Sequence, residues 1–328
     1  MFHRLLIIPI ILLVCIVLVL YGIIHTTIRI CKHKATKKDI IYLCLSLMFV
    51  IFVTYGFTFG FNQFEVKHVE IEFDNLPTSF QNYKIVMFSD AHLGNFKGKR
   101  QNLLYQAVDS INAQQPNLIC FCGDIENASS EEIMPFLEKL ATLKATDGVI
   151  SVLGNHDYAL YQHNLTEEQK AQELQRTINV QRSAGWKVLR NEHLTIYNNK
   201  DSIVICGEEN DGKKPFPNFA NSTVALQGVK DNAFIIMLQH DPTAWKRQVL
   251  KETNASLTLS GHTHAGQFKI FGWTPVSMLY DEYDGLYTSG NRILYVSGGL
   301  GGVVPFRIGA TREIVVITLK RPTSSISI

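Results

Sequence analysis

Two kinds of hydrophobic pattern divide the chain. Leu5 to Ile24 is an unbroken apolar run apart from Tyr21 and Gly22, and Ile40 to Phe61 is a second, interrupted only by Ser, Thr, Tyr and Gly. Each is long enough to cross about 30 Å of hydrocarbon as a helix. The first lacks the short apolar core and small-residue cleavage site of a signal peptide. From Val66 onward apolar residues come in short runs instead. Val66–Phe73 alternates apolar and polar, and Tyr83–Phe88, Asn117–Cys122 and Gly148–Leu153 read as strands. Leu103, Leu104, Ala107, Val108 and Ile111 have helical spacing, which predicts a helix over 102–111. Further helices are predicted over 131–143, over 166–183 behind the capping-box pattern Thr166–Gln169, and over 242–250. The second half reads mostly as strand, over 195–197, 203–206, 234–238, 257–259, 293–296 and 314–319. Strands alternating with helices argue for an α/β layered domain. The expected organisation is a membrane anchor over 1–62 followed by one catalytic domain over 63–328.

Charge refines this picture. The formal net charge is +2, but residues 1–62 hold six Lys/Arg and one acid, leaving 25 basic and 28 acidic side chains beyond them. A domain built to hold a polyanionic backbone carries a basic excess, so no nucleic-acid partner is expected. The basic residues Arg29, Lys32, Lys34, Lys37 and Lys38 crowd the segment between the two apolar runs, against Arg4 before and Lys67 after them. The positive-inside rule then keeps this connector cytoplasmic and places everything after Phe61 on the extracytoplasmic side of the cell membrane. Six cysteines are present, three of them in or between the apolar runs. Cys120 and Cys122 alternate on a strand and lack the geometry for a bridge, so no disulfide framework is read.

Residues capable of chemistry sit just past the predicted strand ends: Asp90 and His92, then Asp124, then Asn155, His156 and Asp157, then His240, then His262 and His264. Loops at the carboxyl ends of strands in such sheets converge on one crevice. Any one of these residues could be a cap or a turn; five loops delivering metal-binding side chains to strand ends is a different matter. The Gly-rich loop Ser297–Gly302 opens no helix and lacks a Lys, so it reads as a tight turn rather than a nucleotide cradle.

Asp90-x-His92, Gly123-Asp124, Gly154-Asn155-His156-Asp157, a lone His240 and Gly261-His-Thr-His264 together resemble the five ordered motifs of the calcineurin-like metallophosphoesterases, from about Val66 to Leu319. The phrases Ser89-Asp-Ala-His-Leu-Gly94, Ser260-Gly-His-Thr-His-Ala-Gly-Gln267 and Tyr295-Val-Ser-Gly-Gly-Leu-Gly301 are similar to the bacterial, membrane-associated branch of that family. The resemblance implies a four-layer α/β/β/α sandwich. It implies one divalent ion (Mn, Fe or Zn) held by Asp90, His92, Asp124 and His264, and a second by Asp124, Asn155, His240 and His262, with Asp124 bridging. Two such ions lower the pKa of a shared water to give the attacking hydroxide and polarise the phosphoryl oxygens. His156, next to a ligand without being one in the family pattern, is then placed to protonate the leaving oxygen, and Asp157 to orient it or stabilise its charged form. Many relatives follow Gly-Asp with an acidic residue and an Arg three and four places on. This chain reads Gly123-Asp-Ile-Glu-Asn-Ala128, so the similarity stops short of the protein phosphatases.

The expected activity is metal-dependent hydrolysis of a phosphomonoester or phosphodiester on a small phosphorylated molecule or a lipid. One alternative is a pyrophosphatase of a nucleotide-linked lipid such as UDP-diacylglucosamine, which needs the domain in the cytoplasm. Another is a non-catalytic membrane scaffold of the same fold. Phe271, Trp273, Met278 and Leu279 follow the last His directly. Core packing is the expectation for them, and contact with acyl chains the alternative.

Overall fold

The computed structural model describes residues 2–322, with side chains from residue 14 onward. Residues 323–328 lie outside the described residues. The chain forms two compact units that divide between Phe61 and Asn62.

The first unit is a pair of helices, Phe2–Cys31 and Lys37–Tyr55, the second continuing as a π-helical turn over Gly56–Gly60. Both are long and apolar enough to cross a membrane, and few of their side chains are buried. Thr36 caps the second helix: Asp39 N donates to Thr36 Oγ1 at 3.4 Å, while Thr36 N donates to the Asp39 carboxylate at 2.7 Å. Gly22 lies against the Tyr42 ring where a Cβ would collide with it, and the Tyr42 hydroxyl donates to the Leu18 carbonyl at 3.3 Å. Close approach at a small residue is how apolar helices pair without a hydrophobic driving force.

The second unit holds two six-stranded sheets. The first runs β1 (Phe64–Glu72), β12 (Arg312–Lys320), β2 (Lys84–Phe88), β3 (Leu118–Cys122), β4 (Val149–Val152) and β5 (Lys187–Val188) in spatial order. The second runs β10 (Gly285–Ser289), β11 (Arg292–Val296), β9 (Leu257–Ser260), β8 (Ile235–Leu238), β7 (Asp201–Gly207) and β6 (Glu192–Asn198). Strands β2 to β5 are mutually parallel, as are β7, β8, β9 and β11.

Alternation along the strands builds the layers. Ile85, Met87, Cys120, Cys122, Val315 and Ile317 face Ile236, Leu238, Leu257 and Leu259 in the core between the sheets. Val86, Phe88, Ile119, Phe121 and Val316 point the other way, onto Leu104, Ala107, Val108 and Ile111 of the helix Gln101–Ala113. On the far side Val204, Ile235, Met237 and Leu294 pack against Trp245 and Val249. The result is the expected α/β/β/α order, with one face of each sheet covered by helical segments. Cys120 and Cys122 are buried core residues with free thiols.

Two expectations are corrected, and one helix differs in its winding. The helix over 131–143 is broken into the short turns Ser130–Glu132, Met134–Phe136 and Leu137–Leu140, because Pro135 supplies no amide and disfavours helix at the residue before it. The helix expected over 242–250 forms, helical from Thr243 and wound as a π-turn over Trp245–Val249. The segment 270–279 is not core: Phe271 is fully exposed and Met278 is 78% exposed.

Candidate metal centre

Every chemistry-bearing residue named from the sequence lies beyond the carboxyl end of a strand. Asp90 and His92 follow β2, Asp124 follows β3, Asn155 to Asp157 follow β4, His240 follows β8, and His262 and His264 follow β9. Since β2, β3 and β4 are parallel in one sheet and β8 and β9 in the other, their carboxyl ends share an edge of each sheet. Backbone hydrogen bonds stitch the loops together. Asp90 N donates to the Gly123 carbonyl at 2.8 Å, His92 N to the Asp124 carbonyl at 3.2 Å, and Gly261 N to the His240 carbonyl at 3.0 Å. The two sheets are joined by His240 Nδ1 donating to the Cys122 carbonyl at 2.7 Å and by His262 N donating to the Asp90 carboxylate at 3.0 Å.

Three overlapping groups result: Asp90, His92 and His264; His92, Asp124 and His156; and Asp124, His240 and His262. Within each, one potential ligand atom per residue lies within 4.8 Å of the others. Asp124 is common to two of them. Its Oδ2 stands 3.2 Å from His240 Nε2 and 3.7 Å from His92 Nε2. Asn155 donates Nδ2 to the Tyr161 hydroxyl at 2.8 Å, which leaves its Oδ1 buried with no hydrogen-bond partner; His92 Nε2 and His264 Nδ1 are likewise buried and unpaired among the described residues. Such orphaned buried groups are costly, and convergent N and O donors of this kind are what a divalent cation satisfies.

The backbone carries a second mark. Asp90, His92, Asp124, His262 and His264 all have φ between +45° and +74°, a region that non-glycine residues seldom enter. Five of the seven expected ligands are thus held in strained conformations, which persist only where the surrounding structure imposes them and cluster at functional sites. Gly123, at φ +90°, turns its loop where a Cβ would strike the Gly154 backbone and the His240 ring.

The electrostatics fit cations. Burial pushes the Asp90 carboxyl up to about 6, with His240 opposing the rise and Asp124 adding to it. Burial presses His92 down to about 3 and holds His264 well below the usual imidazole range, so both are neutral ligands in waiting. Burial also works against a charge on His240, yet Asp124 and Asp90 outweigh it and raise the ring to about 10. Burial favours a neutral Asp124, but the charges of His240 and His156 hold its carboxyl well below the usual range. The proton on His240 is the compensation that a bound cation would displace.

His156 is half-buried, with Nδ1 donating to the Asn127 carbonyl at 2.6 Å, its ring stacked on Tyr161 at 4.2 Å between centroids and edge-on to His92 at 4.7 Å. Its backbone N donates to Asp124 Oδ1 at 2.8 Å. Asp157 does something other than orient it. Its carboxylate accepts from the amides of Asp124 (3.0 Å), Gly154 (2.8 Å) and Ile125 (3.0 Å), so it clamps the β3 and β4 loops together and makes no hydrogen bond to His156. Burial, with Asp124 nearby, pushes it up to about 7.

Sequence reasoning missed several supporting residues. Tyr280 places its hydroxyl 3.0 Å from His262 Nε2, and Asp241 sits 3.7 Å from the same nitrogen. Buried Arg307 donates to the carbonyls of Gly298 (2.7 Å), Gly301 (2.7 Å) and Ala310 (2.9 Å), and so shapes the 297–302 turn that lays Gly299 against Asp90 and His264. None of these belongs to a recurring local pattern; the Gly-Gly-x-Gly-Gly run was the one available signal.

Residues 83–266 match the model of the calcineurin-like phosphoesterase family. Among curated proteins, the uncharacterised metallophosphoesterase YkuE of Bacillus subtilis is 30% identical over 292 residues, covering 82% of this chain and 92% of that protein. An uncharacterised metallophosphoesterase of Aquifex aeolicus is 28% identical over 259 residues, 78% of this chain and 91% of its own length. A transmembrane protein with metallophosphoesterase domain from Danio rerio is 29% identical over 280 residues, 83% of this chain; the match spans 61% of the length of that relative. The family generally uses a dinuclear divalent metal centre, and its members are phosphoester hydrolases. With more than half its length matched and its Asp, Asn and His side chains gathered at one edge of the two sheets, the chain belongs to the calcineurin-like phosphoesterase family.

Proposed function

We propose that the protein is a membrane-anchored hydrolase of phosphomonoesters or phosphodiesters in which Asp90, His92, Asp124 and His264 hold one divalent ion, and Asp124, Asn155, His240 and His262 a second. The observation that carries this reading is the convergence of these side chains with His92 Nε2, Asn155 Oδ1 and His264 Nδ1 buried and unpaired. When bound, two divalent ions acidify a shared water and neutralise charge on the phosphoryl oxygens. Mixed imidazole, carboxylate and amide donors suit Mn, Fe or Zn alike.

The chain's own residues do the rest. The Asn127 carbonyl fixes one tautomer of His156, with the proton on Nδ1, and Nε2 has no hydrogen-bond partner among the described residues. In the protonated ring Nε2 gives its proton to the leaving oxygen as the phosphorus–oxygen bond breaks. Asp157 keeps the β3 and β4 loops in register, a positioning role. The substrate is a small phosphorylated molecule or a lipid, and the basic connector argues for a catalytic domain outside the cytoplasm.

The test uses the full chain in detergent. Hydrolysis of 4-nitrophenyl phosphate or its phenyl diester should vanish with a chelator and return with Mn, Fe or Zn, while activity that ignores the chelator refutes the reading. A reporter behind residue 328 should respond as extracytoplasmic and one near Lys34 as cytoplasmic; the reverse result favours the nucleotide-lipid pyrophosphatase.

A further inference from the structure

Some exposed large apolar side chains of the second unit are scattered singly, as at Met134, Tyr197 and Phe219, which needs no explanation. Beside the metal centre they are grouped. Phe271, Trp273, Met278 and Leu279 are exposed within one short segment, and Val303 and Val304 are exposed in the turn tied to it. The segment is well ordered. Ile270 and Trp273 exchange two backbone hydrogen bonds at 2.9 and 3.0 Å, and Thr274 Oγ1 donates to the Ala265 carbonyl at 3.0 Å. Gln267 Nε2 donates to the carbonyls of Val304 and Phe306 at 2.8 and 2.6 Å, which joins the two turns. Tyr280, one residue past Leu279, reaches His262.

Nothing inside the domain explains these residues. Phe271 stands at the tip of its turn with φ +49°, a strained conformation for an aromatic residue, and is wholly in water. The loop that touches the group carries basic residues: Asn95 Nδ2 donates to the Gly302 and Val303 carbonyls at 2.6 and 3.3 Å, and Lys97 and Lys99, two and four residues further on, are exposed. Aromatic and aliphatic tips flanked by lysines are the composition of a surface that enters the headgroup region of an anionic bilayer.

Topology supplies the occupant. In the register Phe64 lies opposite Arg312, and β12 runs antiparallel to β2 with Val315 opposite Met87, so β1 begins at the edge where β2 ends and where the ligand loops gather. Phe64 follows the apolar helical segment ending at Gly60 by four residues, a tether of at most about 14 Å. The chain therefore enters the domain at the edge that carries both the metal centre and the apolar group.

We propose that Phe271, Trp273, Met278, Leu279, Val303 and Val304 form a lip that seats in the interface of a lipid bilayer, with Lys97 and Lys99 against anionic headgroups, and presents the metal centre to phosphate esters of membrane lipids. This assignment of substrate class rests on the phosphoester-hydrolase reading above.

The full chain reconstituted in phosphatidylcholine–phosphatidylglycerol vesicles tests it. Of the three tryptophans, Trp186 and Trp245 are buried and Trp273 is exposed, so quenching by acyl-brominated lipid reports on the lip. Seating predicts quenched emission, lost in Trp273→Phe. The triple variant Phe271→Ser, Met278→Ser, Leu279→Ser should hydrolyse dioleoyl phosphatidate in vesicles at least about tenfold more slowly. Its rate on 4-nitrophenyl phosphate should stay within about twofold of the parent. Unquenched Trp273 overturns the proposal regardless of activity, and if self-association lost in the triple variant accompanies it, the lip belongs to a second copy of this chain. Quenching with equal loss on both esters overturns the substrate class. A quenched parent that hydrolyses neither ester upholds the seating and faults the phosphoesterase reading instead.

Discussion

His156 donates a hydrogen bond from Nδ1 to the main-chain carbonyl of Asn127, 2.6 Å away, and this one bond decides which nitrogen is available to a substrate. Asn127 stands three residues beyond Asp124, so the loop that carries the Asp124 carboxylate also sets the tautomer of the neighbouring imidazole.

If Nε2 acts as a proton donor, His156→Ala should leave metal content nearly intact and slow hydrolysis of an alkyl phosphate by about 10² to 10⁴. A nitrophenyl ester, whose leaving group needs no proton, should lose much less. Rates on the two esters, with metal stoichiometry from the same sample, provide the check. Equal losses would make His156 a binder of phosphoryl oxygens instead.

Asp124→Asn separates metal binding from proton donation. Removing the shared charge leaves two cations repelling one another with less compensation, so both ions should bind more weakly by more than about tenfold, a loss that changes to outer partners alone can produce. Titration of the metal-free chain followed by elemental analysis would show it. Loss of one ion with the second unaffected would mean that Asp124 does not bridge.

Glu173 offers a pH-dependent test away from the ligands. Burial favours its neutral form, but hydrogen bonds from Ser130 N (2.8 Å), Ser130 Oγ (2.7 Å), Ser129 Oγ (3.1 Å) and Arg176 (2.9 Å) hold the carboxyl below its ordinary range. A depressed folded-state pKa contributes stability above the unfolded value near 4.3 and loses it as pH falls through the folded one. Glu173→Gln should therefore cost about 1 kcal/mol near pH 7. The difference in melting between the two chains should shrink as the pH drops below about 4. A gap that stays constant down to pH 3 would show that the carboxylate charge contributes nothing.

The convergence of the candidate ligands was legible because its chemistry is local: an Asp, Asn or His just past an apolar strand run can be read without knowing the fold. The layers were legible too, since Ile85 and Met87 alternate with Val86 and Phe88 and announce two buried faces. Other features were not. Pro135 broke a helix whose apolar spacing looked continuous. The two-residue strand β5 and the half-exposed β10 lack any run long enough to notice. Asp157 follows His156 in sequence, yet its hydrogen bonds go to amides of two loops, which depends on how β3 and β4 pair. The same apolar letters describe a core segment and a solvent-facing lip, so only the fold distinguishes Phe271 from Phe121.

The parallel pairing of β1 with β12 has a practical consequence. Phe64 and Lys320 close opposite ends of that ladder, each strand nine residues long, so the two are separated by a strand length of about 30 Å. A cargo protein spliced directly after Lys320 would therefore emerge from the pole remote from the candidate ligand loops. Immobilising the enzyme through a graft at Lys320 should leave the working edge unobstructed, whereas capture through any graft near Phe64 would bury it.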